Sequence, residues 1–260
     1  MTAEPQQPSL LHGSAIILVR PKYPENIGAS ARVALNFGIG QIIVVRNEAP
    51  DKEKMLKMAT HKAADLIHNM KLFKETAEAA TPYQFIVGTT ARQGRHRILE
   101  QTPHEVMAQV APLAKNNRIA LMFGPENSGL TNSELDLCQF MSTIPTADFS
   151  SLNLAQAVGI HCYELSMAIS SAATRPLPDS DFANSFELEG MYEHIERTLT
   201  TTTYLEENST SYWMRNIRQF LSRTRVKKKE ASMIRGMCRK FLWHYEKHGT
   251  KQVRQENLPE

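Results

Sequence analysis

The chain lacks the features that would tie it to secretion, metal chemistry or membranes. Its three cysteines, Cys138, Cys162 and Cys238, are widely spaced and form no CxxC pair, which argues against a disulfide framework and reads as reduced, mostly buried thiols of a cytoplasmic protein. The nine histidines include no HExxH and no Cys/His cluster, so no metal site is expected. No apolar run approaches the length of a membrane span. The opening MTAEPQQPSLLHG carries an acid and prolines where a signal peptide has basic and then apolar residues, and the expected location is the cytoplasm. There is no internal repeat. The net charge of +3 over 260 residues is too small to point to nucleic acid by itself.

Two common nucleotide-binding fingerprints are also missing, although two segments imitate them. Gly124 to Thr131 follows an apolar run and matches GxxxxG, but Leu130 stands where the phosphate-binding lysine has to be, and Glu126 places a negative charge inside the loop. Phe37-Gly38-Ile39-Gly40 resembles the start of GxGxxG, yet the third glycine is absent and the segment precedes a strand pattern instead of following one. Neither segment is suited to a triphosphate or a dinucleotide.

What is present is the composition of a soluble globular protein, 42% hydrophobic and 22% charged, with length for one large and one small domain. Short apolar runs at Ser14–Arg20, Gln41–Val45, Gln84–Thr89, Arg118–Phe123 and Phe140–Ile144 read as strands. Helical spacing falls between them: Asn26 to Gly38, with Ile27, Ala31, Ala34 and Leu35 on one face; Lys52–His68; Pro103–Ala114; Asn132–Leu137; and Leu152–Ser171, with Leu152, Ala155, Val158, Cys162, Leu165 and Ile169 on one stripe. Alternating strands and helices indicate an α/β domain with a mainly parallel sheet. The organisation reads as a polar tail over 1–13, the α/β domain over 14–171, a Pro-, Ser- and Asp-rich linker over 172–185, a small three-helix domain over 186–248 and a tail over 249–260.

Three segments stand at strand-to-loop-to-helix transitions: Pro24–Arg32 (PENIGASAR), Leu121–Leu130 (LMFGPENSGL), and Ile144-Pro145 through Ser150–Ala155 (SSLNLA). In this order they resemble the three motifs of the SPOUT class of RNA methyltransferases, in particular the TrmH/TrmJ branch of ribose 2′-O-methylating enzymes. The resemblance covers the first domain. It implies an α/β-knot fold whose C-terminal segment threads through a preceding loop, an exception to unknotted topology. It further implies S-adenosylmethionine as methyl donor, S-adenosylhomocysteine as product, RNA as acceptor, no metal, and a homodimer with each site near the subunit interface. The SSLNLAQAV form of the third segment, the GTTAR stretch and the helical extension favour the TrmJ type, which implies methylation of cytidine or uridine at position 32 of the tRNA anticodon loop. Another tRNA position, ribosomal RNA, and a non-catalytic RNA-binding module are the competing readings.

Residue by residue, Asn26 and Arg32 match the N-x-G-x-x-x-R motif, about 9 Å apart by helical rise. The resemblance sets Arg32 at the RNA phosphate and the 2′-hydroxyl. A guanidinium is effectively always protonated, so orienting phosphate and stabilising alkoxide charge suits it better than abstracting a proton. The plain alternative is Asn26 as an N-cap and Arg32 as a surface residue. Gly124, Ile144, Ser150, Ser151 and Leu152, with Thr89, Thr90 and Ala91, are implied around the methyl donor. Glu126 matches the acid of the second motif, and Ser151 and Asn153 are implied near the reacting hydroxyl, with helix capping as their alternative. Arg92, Arg95 and Arg97 follow the Thr89–Ala91 segment and suit RNA phosphates. So does the basic run that includes Arg223, Arg225, Lys227, Lys228 and Lys229, whose alternatives are a solvated helical face or a dimerisation domain.

Overall fold

A computed structural model describes residues 11, 13–90, 101–147, 151–172, 181–206 and 208–255. Ala91, Arg92, Arg95, Arg97 and Ser150 lie outside the described residues, as does most of the expected linker. The chain divides into two compact units, Met1–Ser180 and Asp181–Glu260.

The first unit holds six parallel strands, β1 (Ala15–Val19), β2 (Gln41–Val45), β3 (Lys71–Phe73), β4 (Phe85–Thr89), β5 (Ile119–Phe123) and β6 (Phe140–Ser142), in the order β3-β2-β1-β5-β4-β6. The most apolar runs, AIILV and IALMF, are buried along their whole length as β1 and β5, the central pair. That is the pattern of parallel strands covered on both faces. One face carries Ala15, Ile17, Val19, Ile43, Val45, Ile86, Ala120 and Met122, packed with Ala79, Ala80, Leu130 and Leu135. The alternate residues point to the opposite layer.

The connecting helices are α1 (Pro24–Asn36), α2 (Lys52–His68), α3 (Thr76–Ala80), α4 (Pro103–Val110), α5 (Asn132–Leu135) and α6 (Leu154–Ala172), with a 3-10 turn at Ala111–Leu113. α1 begins two residues before Asn26: Pro24 is its first residue and Tyr23 its N-cap, without a side-chain cap bond. Proline is favoured there because its missing N–H would be unpaired anyway. Asn26 is therefore not the cap, and its amide is released for tertiary contacts. Leu35, expected on the apolar face of α1, is 42% exposed. α1 packs tightly on α2: a Cβ on Gly28 would lie 2.0 Å from the Met55 carbonyl oxygen, so only glycine permits this approach. α2 contains a break at Thr60, where φ is 63°.

Two small elements, β3 and α3, go beyond the sequence expectations, and β6 ends at Ser142, before Ile144. In the second unit three helices form as expected, α7 (Ser185–Thr201), α8 (Thr210–Arg223) and α9 (Lys228–Gln255), the last running past the His248 boundary. Their core consists of Ala183, Leu188, Met191, Tyr192, Met214, Val226 and Ala231. α7 starts with a capping box between Asn184 and Glu187.

Candidate active site

The sheet order reverses direction between β1 and β5, and a cleft opens outside the carboxyl ends of β4, β5 and β6, the usual position for ligands in open α/β sheets. Its volume is about 280 Å³. Thr89 and Thr90 line it from the end of β4, Phe123 to Leu130 from the end of β5, Ser142 and Ile144 from the end of β6, and Ser151, Leu152, Leu154, Ala157 and His161 from the start of α6. The rings and aliphatic groups of Phe123, Leu130, Ile144, Leu152 and Leu154 alternate there with hydroxyls and the Glu126 carboxylate. That mixture suits a ligand with a flat apolar part and a charged part.

The loop after β5 is tightly folded. A Cβ on Gly124 would fall 2.2 Å from the backbone carbon of Gly129, so the loop closes on itself only with glycine at 124. A second clamp ties this loop to the end of β1. Arg20 pairs through both guanidinium nitrogens with Glu134, which also accepts from the Thr131 N–H at 2.7 Å. Burial pushes the Glu134 carboxyl up, but Arg20 and Thr131 more than offset it and hold it below the ordinary carboxylate range.

The three motif segments are joined by one directional chain of hydrogen bonds. Glu126 accepts from the Lys22 backbone N–H at 2.9 Å and from Asn26 Nδ2 at 2.7 Å. The Asn26 Oδ1 in turn accepts from Asn153 Nδ2 at 3.0 Å. Asn153 Oδ1 accepts from the N–H groups of Ala155 at 2.9 Å and Gln156 at 3.4 Å. The order is self-consistent: the carboxylate can only accept, which fixes the Asn26 amide and then that of Asn153. Asn153 therefore caps α6, as its plain alternative has it, and reaches Asn26 with the same side chain.

The sequence candidates separate into groups. Thr89, Thr90, Gly124, Glu126, Ile144, Ser151 and Leu152 come together on the cleft. Asn26 and Asn153 stand behind it in the hydrogen-bonded chain. Arg32 is exposed on α1 and does not line the cleft. Arg223, Lys227 and Lys229 are exposed in the second unit, and Arg223 Nε donates to the Gln219 carbonyl at 3.1 Å. Arg225 is exposed with φ of 50°, and Lys228 pairs with Asp181 at 3.4 Å.

Sequence reasoning missed Ser142 and His161. His161 is fully buried and Ser142 is 1% exposed. His161 Nδ1 lies 2.8 Å from the Ala157 carbonyl, and Nε2 lies 3.0 Å from Ser142 Oγ. Its ring also meets Phe123 edge-on at 5.4 Å between centroids. Burial pulls the imidazole down to about 4, so it is neutral at pH 7. The available signal was a lone histidine beside Cys162, on the apolar stripe of α6. Among the described residues no group of three or more His, Cys, Asp or Glu side chains is placed to hold a metal.

Comparison with known proteins bears on this geometry. Residues 13–163 match the SpoU rRNA Methylase family, and residues 186–256 match the C-terminal domain of the tRNA methyltransferase TrmJ. The chain is 32% identical over 234 residues to the tRNA (cytidine/uridine/adenosine-2′-O-)-methyltransferase TrmJ of Pseudomonas aeruginosa, covering 85% of this chain and 91% of the relative. It is 34% identical over 201 residues to LasT of Escherichia coli, described as an uncharacterized tRNA/rRNA methyltransferase, covering 76% and 86%. The crystal structure of TrmJ from Z. mobilis ZM4 superposes with a TM-score of 0.73 at 29% identity, covering 87% of this chain and 98% of that one. A cleft at the carboxyl ends of β4, β5 and β6, three motif segments tied together beside it, and these matches together make the chain a methyltransferase of the SpoU family with a TrmJ-type C-terminal domain.

Proposed function

We propose that this protein transfers the methyl group of S-adenosylmethionine to a ribose 2′-hydroxyl of tRNA, at cytidine or uridine 32 of the anticodon loop. The observation that carries the reading is the hydrogen-bonded chain Glu126–Asn26–Asn153, which binds all three motif segments to one cleft. The cleft fits the donor: apolar walls for adenine, hydroxyls for polar edges, and the Glu126 carboxylate for a cationic centre. Bound there, S-adenosylmethionine supplies an electrophilic methyl with its own leaving group, so positioning and electrostatics can account for most of the rate. Thr89, Thr90, Gly124, Ile144 and Leu152 hold it, with Ser150 and Ala91 as the adjoining residues of the same segments. Ser151 faces the reacting hydroxyl, and Asn26 and Asn153 act as positioning residues. Arg32 orients the phosphate and stabilises charge on the 2′-oxygen.

Arg32 stands outside the cleft of its own chain, which suits a homodimer in which a second copy completes the site. An exposed apolar strip supports this assembly: Leu35 on α1, and Ile160, Tyr163 and Met167 spaced along α6, are 36–50% exposed, more than isolated surface residues require. The knotted threading of the family and a cytoplasmic location belong to the same reading. Arg92, Arg95 and Arg97, with the exposed cations of the second unit, supply phosphate contacts.

The test is incubation of purified protein with methyl-labelled S-adenosylmethionine and total RNA, followed by mass-spectrometric mapping of 2′-O-methylated nucleotides. Label at nucleotide 32 of tRNA is expected. Label only at another tRNA position or in ribosomal RNA would replace the substrate, and no transfer by a dimeric, donor-binding sample would leave an RNA-binding module.

A further inference from the structure

The Ser142–His161 pair lies outside the motif chemistry, yet both residues line the cleft. It sits in an apolar setting: Phe123, Leu154, Val158 and Cys162 around it are all buried. A satisfied polar pair there gives no advantage in folding over two apolar side chains of similar volume. Its hydrogen bonds leave a definite polarity. The Ala157 carbonyl can only accept, so His161 carries its proton on Nδ1 and Nε2 is an acceptor. Nε2 therefore accepts a hydrogen bond from the Ser142 hydroxyl. Ser142 has then spent its one donor and keeps two acceptor positions, and among the described residues no donor reaches its Oγ. Thr90 donates to the Ser142 backbone carbonyl at 3.1 Å, which fixes the residue in place from the β4 side.

We propose that Ser142 Oγ is a cofactor-binding acceptor, taking a hydrogen-bond donor of the nucleoside part of the methyl donor, and that His161 is a positioning residue that holds the hydroxyl in this polarity. The assignment rests on the reading of the cleft as the S-adenosylmethionine site. It adds a buried side-chain acceptor to the pocket, and it ties donor affinity to a residue two turns along α6.

The test uses S-adenosylhomocysteine titrated into the full-length protein by calorimetry. Ser142→Ala is expected to weaken binding about ten-fold, the scale of one buried hydrogen bond, and Ser142→Thr to restore most of it. His161→Leu is expected to weaken binding by a few-fold, and the double variant by no more than Ser142→Ala alone, because one effect passes through the other. S-inosylhomocysteine, whose 6-oxo group cannot donate, identifies the partner: equal affinity for Ser142→Ala and wild type assigns the 6-amino group, and a persisting difference assigns a ribose hydroxyl. Nitrogen-15 spectra should show His161 as the Nδ1–H form at pH 7, and a change of its shifts in Ser142→Ala. Unchanged affinity in a folded Ser142→Ala protein would overturn the proposal. Absence of wild-type binding at millimolar ligand would overturn the cleft assignment instead, so the two failures are distinguishable.

Discussion

Acidification should destabilise this protein through one buried imidazole. His161 titrates at about 4 in the folded chain, against an ordinary value of about 6.5. The largest cause is burial; the hydrogen bond to Ala157 and the charge of Glu164, which is itself paired with His104 of α4 at 3.0 Å, pull the other way. Because the folded value is depressed, the unfolded chain binds the proton first. The stabilising contribution is complete above about pH 6.5 and is lost as pH falls toward 4. The full span corresponds to about 3 kcal/mol, with about 2 kcal/mol lost between pH 7 and pH 5. Urea denaturation of wild type and His161→Leu across pH 5 to 8 measures it. The variant is expected to be less stable at pH 7 by about 1–3 kcal/mol, since Ser142 loses its acceptor. Its stability should fall less steeply on acidification, so the two curves converge toward pH 5. Other groups titrate in both proteins and cancel in the difference. Parallel curves would refute the assignment of a buried neutral His161.

Four further outcomes are expected. Asn26→Asp faces the Glu126 carboxylate with a second negative charge across a 2.7 Å contact, and turnover should drop on the order of 10²-fold, read by methyl transfer to tRNA. Arg32→Ala should lose a similar factor with S-adenosylhomocysteine affinity changed little by calorimetry, and Arg32→Lys should also be poor because a point charge replaces a fork. Gly28→Ala drives a methyl into the Met55 carbonyl and should destabilise the first unit by more than about 3 kcal/mol, seen as a lower thermal midpoint. Neutralising the exposed Arg223, Lys227 and Lys229 should flatten the salt dependence of tRNA affinity; an unchanged slope in a dimeric sample would remove them from the RNA surface.

The central strands were legible because AIILV and IALMF are buried on both faces and so carry an uninterrupted apolar run. β3 was not: Lys71 and Leu72 are exposed at the sheet edge, and three residues carry no periodicity. The start of α1 was misplaced because Asn26 has a side chain suited to capping, whereas the fold uses that amide to reach Glu126, a hundred residues away. A cap preference is a local property and cannot register a partner that distant. The cleft residues of the three motifs were legible as family patterns, but Ser142 and His161 look like one small residue in a strand and one break in an apolar stripe. Their meaning depends on the 3.0 Å contact between them, which only the folded chain creates.

The chain of amides behind the cleft also sets an order of events during synthesis. Asn26 leaves the ribosome 100 residues before Glu126 and 127 residues before Asn153. Contacts across such spans form late, because the loop must close before they repay its entropy. The first helix can dock on α2 early, through Gly28 and Met55, while its asparagine still waits in water for both partners. The residues of β1, β2 and their helices are therefore synthesised before any complete donor site can exist. Occupation of the cleft then favours the finished arrangement by mass action, so the cellular supply of methyl donor also bears on how completely newly made copies mature.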